Sequence, residues 1–167
     1  MTTVAKARVF ALDRHDAQKY GDKPYIVHLD EVAEIVHSLE ILGKRGTRLE
    51  QAAYLHDVLE DTETDKIELL YLFGSEVASM VSAVTGVGND RVERMAAISR
   101  KIRNAAILGD CGDAATLKMA DRLANVRASK ENDPKRLAMY RAEYATLRPA
   151  LSLGDVRLLA MLDAEMG

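Results

Sequence analysis

Apolar residues recur at intervals of three and four along most of this chain, and no segment alternates strictly between apolar and polar positions. This is the period of an amphipathic helix, in which every third or fourth side chain returns to the same face. Proline, which interrupts helices, occurs only at positions 24, 134 and 149. The pattern predicts an all-α protein of about eight to nine helices, folded as a single domain over residues 1–167.

Apolar positions, caps and helix breakers predict where the helices lie. We expect helices over residues 4–20, 28–42, 48–61, 65–72, 76–84, 91–107, 114–128, 134–147 and 152–165. Residues 22–24 and 109–112 read as turns, and 86–90 as a flexible loop. The helix that starts at Pro134 is expected to stop before Pro149, because the residue before a proline avoids the helical conformation.

Composition limits the kinds of partner. The net charge is −3, from 23 basic and 26 acidic side chains, which argues against a broad nucleic-acid surface. No run approaches the roughly 18 apolar residues of a membrane span, and the N-terminal segment lacks the apolar core of a signal peptide. Cys111 is the single cysteine, so no intrachain disulfide can form. We expect a cytoplasmic protein with no membrane partner; a homo-oligomer is compatible with the sequence.

Residues 52–61 (AAYLHDVLED) place four groups that bind metals or carry protons within an apolar segment. In a continuous helix His56 lies above Glu60 and Asp57 above Asp61, because side chains four residues apart share a face. The neighbouring alanines and leucines indicate partial burial, and buried charge is costly unless it is paired or bound to a metal. The pattern indicates a divalent-cation site. The alternative is that the two acidic residues form the polar end of an amphipathic helix.

Two further residues are candidates for the same site. His28 begins a predicted helix, where a lone histidine is more often a cap or a structural residue. Asp121 either pairs with Lys118 or Arg122 or acts as a distant metal ligand. The combined set supplies two imidazoles and two carboxylates, which suits Mn²⁺, Fe²⁺, Co²⁺ or Zn²⁺ and is too rich in nitrogen for Ca²⁺. The four candidate ligands are His28, His56, Asp57 and Asp121.

Other polar residues are weaker candidates. His15 lies in a polar cluster and His37 in the middle of a helix, and neither is expected to bind a metal. The basic residues between 91 and 103 are usually a solvated face, and they become relevant only if the substrate carries phosphate. Three tyrosines can stack on a nucleotide base or simply pack in the core: Tyr20, Tyr25 and Tyr54.

The order His, His-Asp, Asp resembles the HD superfamily of metal-dependent phosphohydrolases. Four segments are similar, more closely, to the hydrolase domain of RelA/SpoT-type alarmone enzymes. They are residues 23–28 (KPYIVH), 52–62 (AAYLHDVLEDT), 72–85 (LFGSEVASMVSAVT) and 117–127 (LKMADRLANVR). The similarity extends over residues 4–148 and no synthetase or regulatory domain follows, so the layout resembles a stand-alone small alarmone hydrolase of the metazoan kind.

This resemblance implies an HD-domain helical bundle with one bound Mn²⁺, although another divalent transition metal would also fit the ligands. It implies that Glu60 and Asp61 orient and activate the attacking water, and that Asn125 contacts the nucleotide. The implied reaction removes the 3′-pyrophosphate of guanosine tetra- or pentaphosphate, (p)ppGpp, and gives GDP or GTP and pyrophosphate. The chemistry is consistent, since a metal lowers the pKa of water and a nearby carboxylate can take its proton. Further candidate substrate contacts are Lys19, Tyr25, Arg91, Arg94 and Lys118.

Three departures from the family pattern border the expected nucleotide position. Leu29 replaces the usual proline after the first ligand histidine, the basic segment before Pro24 is shortened, and Ala128 replaces a commonly hydroxylated residue. The metal chemistry is therefore better supported than the substrate. Two alternatives stay open: an HD phosphohydrolase of another nucleotide or phosphate ester, and a non-catalytic metal-bound nucleotide sensor. The Glu60–Asp61 pair argues against the sensor, because metal ligation does not need it.

Overall fold

The computed structural model describes residues 3–167, most of which are helical. Within that range nine helices have eight residues or more, and one more has four. The all-α prediction is confirmed. The helices are α1 (Thr3–His15), α2 (Ile26–His37), α3 (Gly43–Leu55), α4 (Val58–Asp61), α5 (Lys66–Phe73), α6 (Ser75–Val84), α7 (Arg91–Ile107), α8 (Asp113–Asn132), α9 (Pro134–Leu151) and α10 (Val156–Met166).

The chain divides into two compact units, of which the first runs to Thr85 and the second covers Gly86–Gly167. The single domain over residues 1–167 stays a prediction. No helix in the described range is both long enough and apolar enough to cross a membrane.

Helix α3 is the centre of the first unit and packs against α1, α2 and α6. Small side chains allow this packing, since Ala7 and Ala11 of α1 and Ala52 and Ala53 of α3 are fully buried. Alanines four residues apart lie on one helix face, so two helix backbones can approach closely there. The bulkier leucine and valine side chains of α2 and α6 fill the rest of this core.

The segment after α1 differs from the prediction. The helix ends at His15 rather than near Tyr20, because Asp16 takes a left-handed conformation with φ of 38°. A left-handed residue just past a helix ends its hydrogen-bonding pattern. The chain then forms a small antiparallel hairpin, β1 (Lys19–Tyr20) and β2 (Lys23–Pro24), which the apolar pattern did not predict. A hairpin this short has too few residues to show an alternating period.

The predicted continuous helix over residues 48–61 is wrong, because α3 ends at Leu55 and α4 begins at Val58. The Nδ1 atom of His56 lies 2.8 Å from the carbonyl oxygen of Ala53, the group that a continuous helix would pair with the N–H of Asp57. His56 and Asp57 therefore sit at a junction between two helices. The expected column of His56 above Glu60 does not extend across it, whereas Asp57 still precedes Asp61 by one helical turn, since the Asp61 N–H donates to the Asp57 carbonyl at 3.0 Å.

Other helix bounds also differ from the prediction. Helix α2 spans residues 26–37 instead of 28–42, α3 begins five residues earlier than expected, and α10 begins at Val156 instead of 152. Helix α9 continues through Pro149 to Leu151. A proline in the last turn removes a single backbone donor, and full burial of Ala150 and Leu151 favours continuing the helix.

In the second unit, α8 is buried along most of its length and packs against α7, α9 and α10. A buried arginine anchors it: the Nη1 atom of Arg122 donates to Glu143 Oε2 at 2.8 Å, and the guanidinium lies 4.4 Å from the Tyr140 ring centroid. Arg91 of α7 also donates to Glu143. Burial opposes ionisation of Glu143, but the hydrogen bonds from the two arginines outweigh it and lower the pKa of this carboxyl.

We predict that Glu143→Gln lowers the free energy of unfolding by about 2 kcal/mol at neutral pH, because a charged partner of a buried arginine is lost. The lowered folded-state pKa means that the carboxylate stabilises the protein above the ordinary glutamate pKa of about 4.3. That contribution disappears as the pH falls through the folded-state pKa, so the difference between variant and wild type should shrink in acid. Urea denaturation of both proteins, from neutral pH to below the ordinary glutamate pKa, measures this difference in the free energy of unfolding.

The matched control is Glu165→Gln, which removes a carboxylate from ion pairs with the exposed side chains of Arg127 and Lys130. Exposed pairs contribute at most about 1 kcal/mol. An equal loss of stability in the two variants at neutral pH would show that Glu143 does not anchor the unit.

Candidate functional site

Three of the predicted ligands come together in the first unit. His28 is the third residue of α2, His56 follows the last residue of α3, and Asp57 is the N-cap of α4. One ligand atom from each lies within 4.8 Å of the other two, as expected of residues that hold a metal ion. Both histidines are buried, with 1% of each exposed, while the Asp57 side chain is 19% exposed.

The hydrogen bonding of His56 shows why this cluster fits a cation. Its Nδ1 atom faces the Ala53 carbonyl oxygen, which can only accept, so Nδ1 carries the proton of the neutral ring. The Nε2 atom then directs its lone pair at Asp57 Oδ2, 2.9 Å away. His28 Nε2 lies 3.7 Å from the same oxygen. A proton or a cation must lie between electron-rich atoms this close, and imidazole and carboxylate donors together suit a divalent transition metal.

Aromatic side chains surround the two histidines. The Tyr20 ring stacks on His28 with centroids 4.7 Å apart, and the His28 and His56 rings meet edge to face at 5.3 Å. The hydroxyl of Tyr25 donates a hydrogen bond of 2.5 Å to Asp57 Oδ2. Tyr25, which the sequence suggested as a substrate contact, therefore lies against a proposed ligand. Outer contacts of this type fix the orientation of metal ligands.

Glu60 and Asp61 are both exposed, on the short helix α4 that Asp57 begins. The carbonyl oxygen of Asp57 accepts hydrogen bonds from the backbone N–H groups of both residues, each at 3.0 Å. The two carboxylates therefore follow Asp57 by a single helical turn. Asp61 Oδ2 also accepts a hydrogen bond of 2.8 Å from Gln18 Nε2. The catalytic roles of Glu60 and Asp61 stay predictions.

Asp121 belongs to α8 in the second unit, where it is 5% exposed. Its Oδ2 atom lies 2.7 Å from the Nζ atom of Lys118, and its Oδ1 atom accepts a hydrogen bond from the Asn125 amide. The ion pair with Lys118, one of the two alternatives for Asp121, is present. Burial and the negative charge of Asp121 raise the pKa of the Tyr140 hydroxyl. A ligand role for Asp121 stays a prediction, as do substrate contacts by Lys118 and Asn125.

The remaining predicted substrate contacts are cationic side chains at the surface. Lys19 lies in β1 and Arg94 in α7, and both are exposed. Arg91 donates to Glu143, so the charge of this arginine is paired within the second unit. Substrate contacts by Lys19, Arg91 and Arg94 stay predictions.

Sequence reasoning missed two residues near the cluster. His15 was expected in a polar, non-ligand position, yet it is buried and its Nδ1 atom lies 2.8 Å from Gln18 Oε1. Gln18 was not singled out at all. The spacing of three residues between them, shortly before Pro24 and Tyr25, is a signal that could have drawn attention to both.

Comparison with known proteins gives relatives that carry two names, a 3′-pyrophosphohydrolase and a GTP pyrophosphokinase. A guanosine-3′,5′-bis(diphosphate) 3′-pyrophosphohydrolase of Vibrio cholerae is 32% identical over 160 residues, which are 89% of this chain and 22% of that protein. One of the same name from Aquifex aeolicus is 34% identical, over 92% of this chain and 22% of the relative. A GTP pyrophosphokinase rsh of Brucella ovis is 33% identical, over 91% of this chain and 21% of the relative. The chain spans about a fifth of the length of these curated relatives.

A solved structure is similar over almost its full length. It is described as a metazoan orthologue of SpoT that hydrolyses ppGpp and has a role in starvation responses. The TM-score is 0.80 at 25% identity, and the match covers 99% of this chain and 94% of the other. The family model described as HD domain matches residues 7–147. This chain therefore belongs to the HD domain family.

Proposed function

We propose that this protein is a metal-dependent phosphohydrolase that removes the 3′-pyrophosphate of guanosine tetra- or pentaphosphate, giving GDP or GTP and pyrophosphate. The observation that carries the proposal is the cluster of His28, His56 and Asp57 in a chain of the HD domain family. The names of the relatives, and the ppGpp hydrolysis printed for the similar solved structure, support the choice of substrate.

The proposed cofactor is Mn²⁺, which accepts both imidazole and carboxylate ligands. Its proposed ligands are His28, His56, Asp57 and Asp121; the first three are supported by the cluster, and Asp121 by the motif in residues 117–127. When bound, such a cation lowers the pKa of water and offsets negative charge on a phosphoryl oxygen.

The protein side chains prepare this site before substrate arrives. The Ala53 carbonyl fixes the ring of His56 with Nε2 toward Asp57. Stacking on Tyr20 fixes the ring of His28, and the Tyr25 hydroxyl holds Asp57 Oδ2. Ligands held in this way need little rearrangement when a cation binds, which favours tight and specific binding.

Glu60 and Asp61 are the proposed catalytic residues. An exposed carboxylate one turn beyond the ligand Asp57 is placed where solvent water can reach it. As a general base it would take a proton from the attacking water, whose oxygen bonds to phosphorus while the bond from phosphorus to the 3′-oxygen breaks and the 3′-oxygen takes up a proton from solvent. Further substrate contacts are proposed for Lys19, Tyr25, Arg94, Lys118 and Asn125, with the cationic side chains on phosphate oxygens.

The reaction itself is tested with purified protein loaded with Mn²⁺ and supplied with ppGpp. We expect equal amounts of GDP and pyrophosphate, measured by chromatography and by a pyrophosphate-specific assay. Orthophosphate release would identify a phosphohydrolase of another specificity. Tight binding of ppGpp without turnover would indicate the non-catalytic sensor.

The division of roles within residues 56–61 gives a second prediction. Asp57→Ala should lose Mn²⁺ binding and turnover together, because it removes a ligand. Glu60→Gln should keep the metal and lose about 10²- to 10⁴-fold in kcat, the usual range for loss of a general base. Metal content by elemental analysis and kcat by pyrophosphate release separate the two effects.

Glu63→Gln is the control for this pair, since Glu63 is exposed and lies just beyond α4. It should retain both metal and activity. If Glu60→Gln turns over like the Glu63 variant, Glu60 is not the base.

The contact between Tyr25 and Asp57 gives a third prediction. Tyr25→Phe removes the hydroxyl that holds Asp57 but keeps the ring, so Mn²⁺ affinity should fall about 10-fold, as for other outer contacts of metal ligands. Calorimetric titration with Mn²⁺ measures the affinity. Tyr71→Phe is the matched control, because Tyr71 is 87% exposed and lies on α5. Unchanged Mn²⁺ affinity together with a raised KM would instead favour a substrate contact for Tyr25.

A further inference from the structure

A chain of side-chain hydrogen bonds reaches Asp61 from the turn after α1. The Nε2 atom of Gln18 donates to Asp61 Oδ2 at 2.8 Å, and the Oε1 atom of the same amide lies 2.8 Å from His15 Nδ1. Gln18 thus bridges a buried imidazole and an exposed carboxylate that are 46 positions apart in sequence.

Hydrogen-bond chemistry fixes the direction of this chain. An ionised aspartate only accepts hydrogen bonds, so Gln18 must turn its NH₂ group toward Asp61. The amide carbonyl then faces His15, and His15 must carry its proton on Nδ1 to donate to it. Each group therefore has one defined donor or acceptor role, and none can rotate without losing a hydrogen bond.

His15 and Gln18, the first two residues in this series of hydrogen bonds, are each held in place by further contacts. His15 is 5% exposed, and the Tyr25 ring stacks on its imidazole with centroids 4.5 Å apart and planes 24° from parallel. The backbone N–H of Gln18 donates to the His15 carbonyl at 2.7 Å, and the Gln18 carbonyl accepts from the Tyr25 N–H at 3.0 Å. Both the main chain and the side chain of Gln18 are therefore fixed.

We propose that Gln18, supported by His15, is a positioning residue for Asp61. This inference rests on the proposed function, in which Asp61 acts on the attacking water. A hydrogen bond to Oδ2 limits rotation of the carboxylate, so Oδ1 has a defined direction in which to accept a proton. The Tyr25 hydroxyl acts similarly on Asp57, so residues 15–25 orient the carboxylates at both ends of α4.

The competing explanation is that Gln18 merely secures the hairpin to the surface of α4. Such a bond would contribute to stability and have no specific effect on turnover. The two explanations differ in what they predict for kcat, for the dependence of the Gln18 effect on Asp61, and for the role of His15.

The kinetic test uses Gln18→Ala with the Mn²⁺-loaded protein and ppGpp. We expect kcat to fall about 10-fold with KM and Mn²⁺ affinity unchanged, since only the orientation of Asp61 is lost. In an Asp61→Asn background the same substitution should have no further effect on kcat. His37→Ala is the matched control, because His37 is exposed and forms a side-chain hydrogen bond with Glu50 on the same unit.

Conservative substitution of His15 tests the other end of the chain. Asn carries an N–H group close to the position of the histidine Nδ1–H, so His15→Asn should keep most of the activity that His15→Leu loses. If both variants have the same kcat, or if Gln18→Ala lowers kcat equally with and without Asp61, the positioning role is refuted.

An activity-independent measurement separates this inference from the proposed function. Long-range ¹H–¹⁵N NMR of the wild-type protein should find His15 as the Nδ1–H tautomer, and the Gln18 NH₂ protons should exchange more slowly than in Asp61→Ala, which has no side-chain acceptor at this position. A His15 ring protonated on Nε2 alone would refute the chain of hydrogen bonds. If the NMR result holds while ppGpp is not hydrolysed, the geometry stands, and both the proposed function and the role of Gln18 in catalysis fail.

Discussion

The described site depends on one electrostatic constraint: the Nε2 atoms of two buried imidazoles lie close to a single carboxylate oxygen, Asp57 Oδ2. The Nε2 atoms of His56 and His28 lie 2.9 and 3.7 Å from it, and both rings are almost completely buried. Burial removes the water that would otherwise solvate these groups, so a positive charge among them is strongly favoured. A divalent cation meets this requirement.

The break between α3 and α4 creates this concentration of donors. The helix stops where the His56 Nδ1 atom lies 2.8 Å from the Ala53 carbonyl oxygen, and Asp57 begins a new turn with its own carbonyl. Adjacent residues of one continuous helix point about 100° apart, whereas here the His56 Nε2 and Asp57 Oδ2 atoms lie 2.9 Å apart. The short helix α4 then carries Glu60 and Asp61 just beyond the ligands.

The spacing of apolar residues correctly predicted helices that consist of long amphipathic segments. The bounds of α7, Arg91–Ile107, agree with the prediction, because Asp90 caps the helix start with its side chain and apolar residues recur throughout. The same spacing gave wrong helix bounds where local backbone and side-chain interactions end a helix, as at the α3–α4 junction and after His15. The motif located His28, His56 and Asp57, but no local pattern could show that Gln18 reaches Asp61, 43 residues away. Contacts of that kind arise from tertiary packing.

We propose that His28, His56 and Asp57 together hold a divalent cation. The most direct test is a crystal grown with Mn²⁺ and measured on both sides of the manganese absorption edge. We expect one strong anomalous peak within bonding distance of the Nε2 atoms of both histidines and a carboxylate oxygen of Asp57. A crystal containing Mn²⁺ whose anomalous peaks all lie away from these three residues would contradict it.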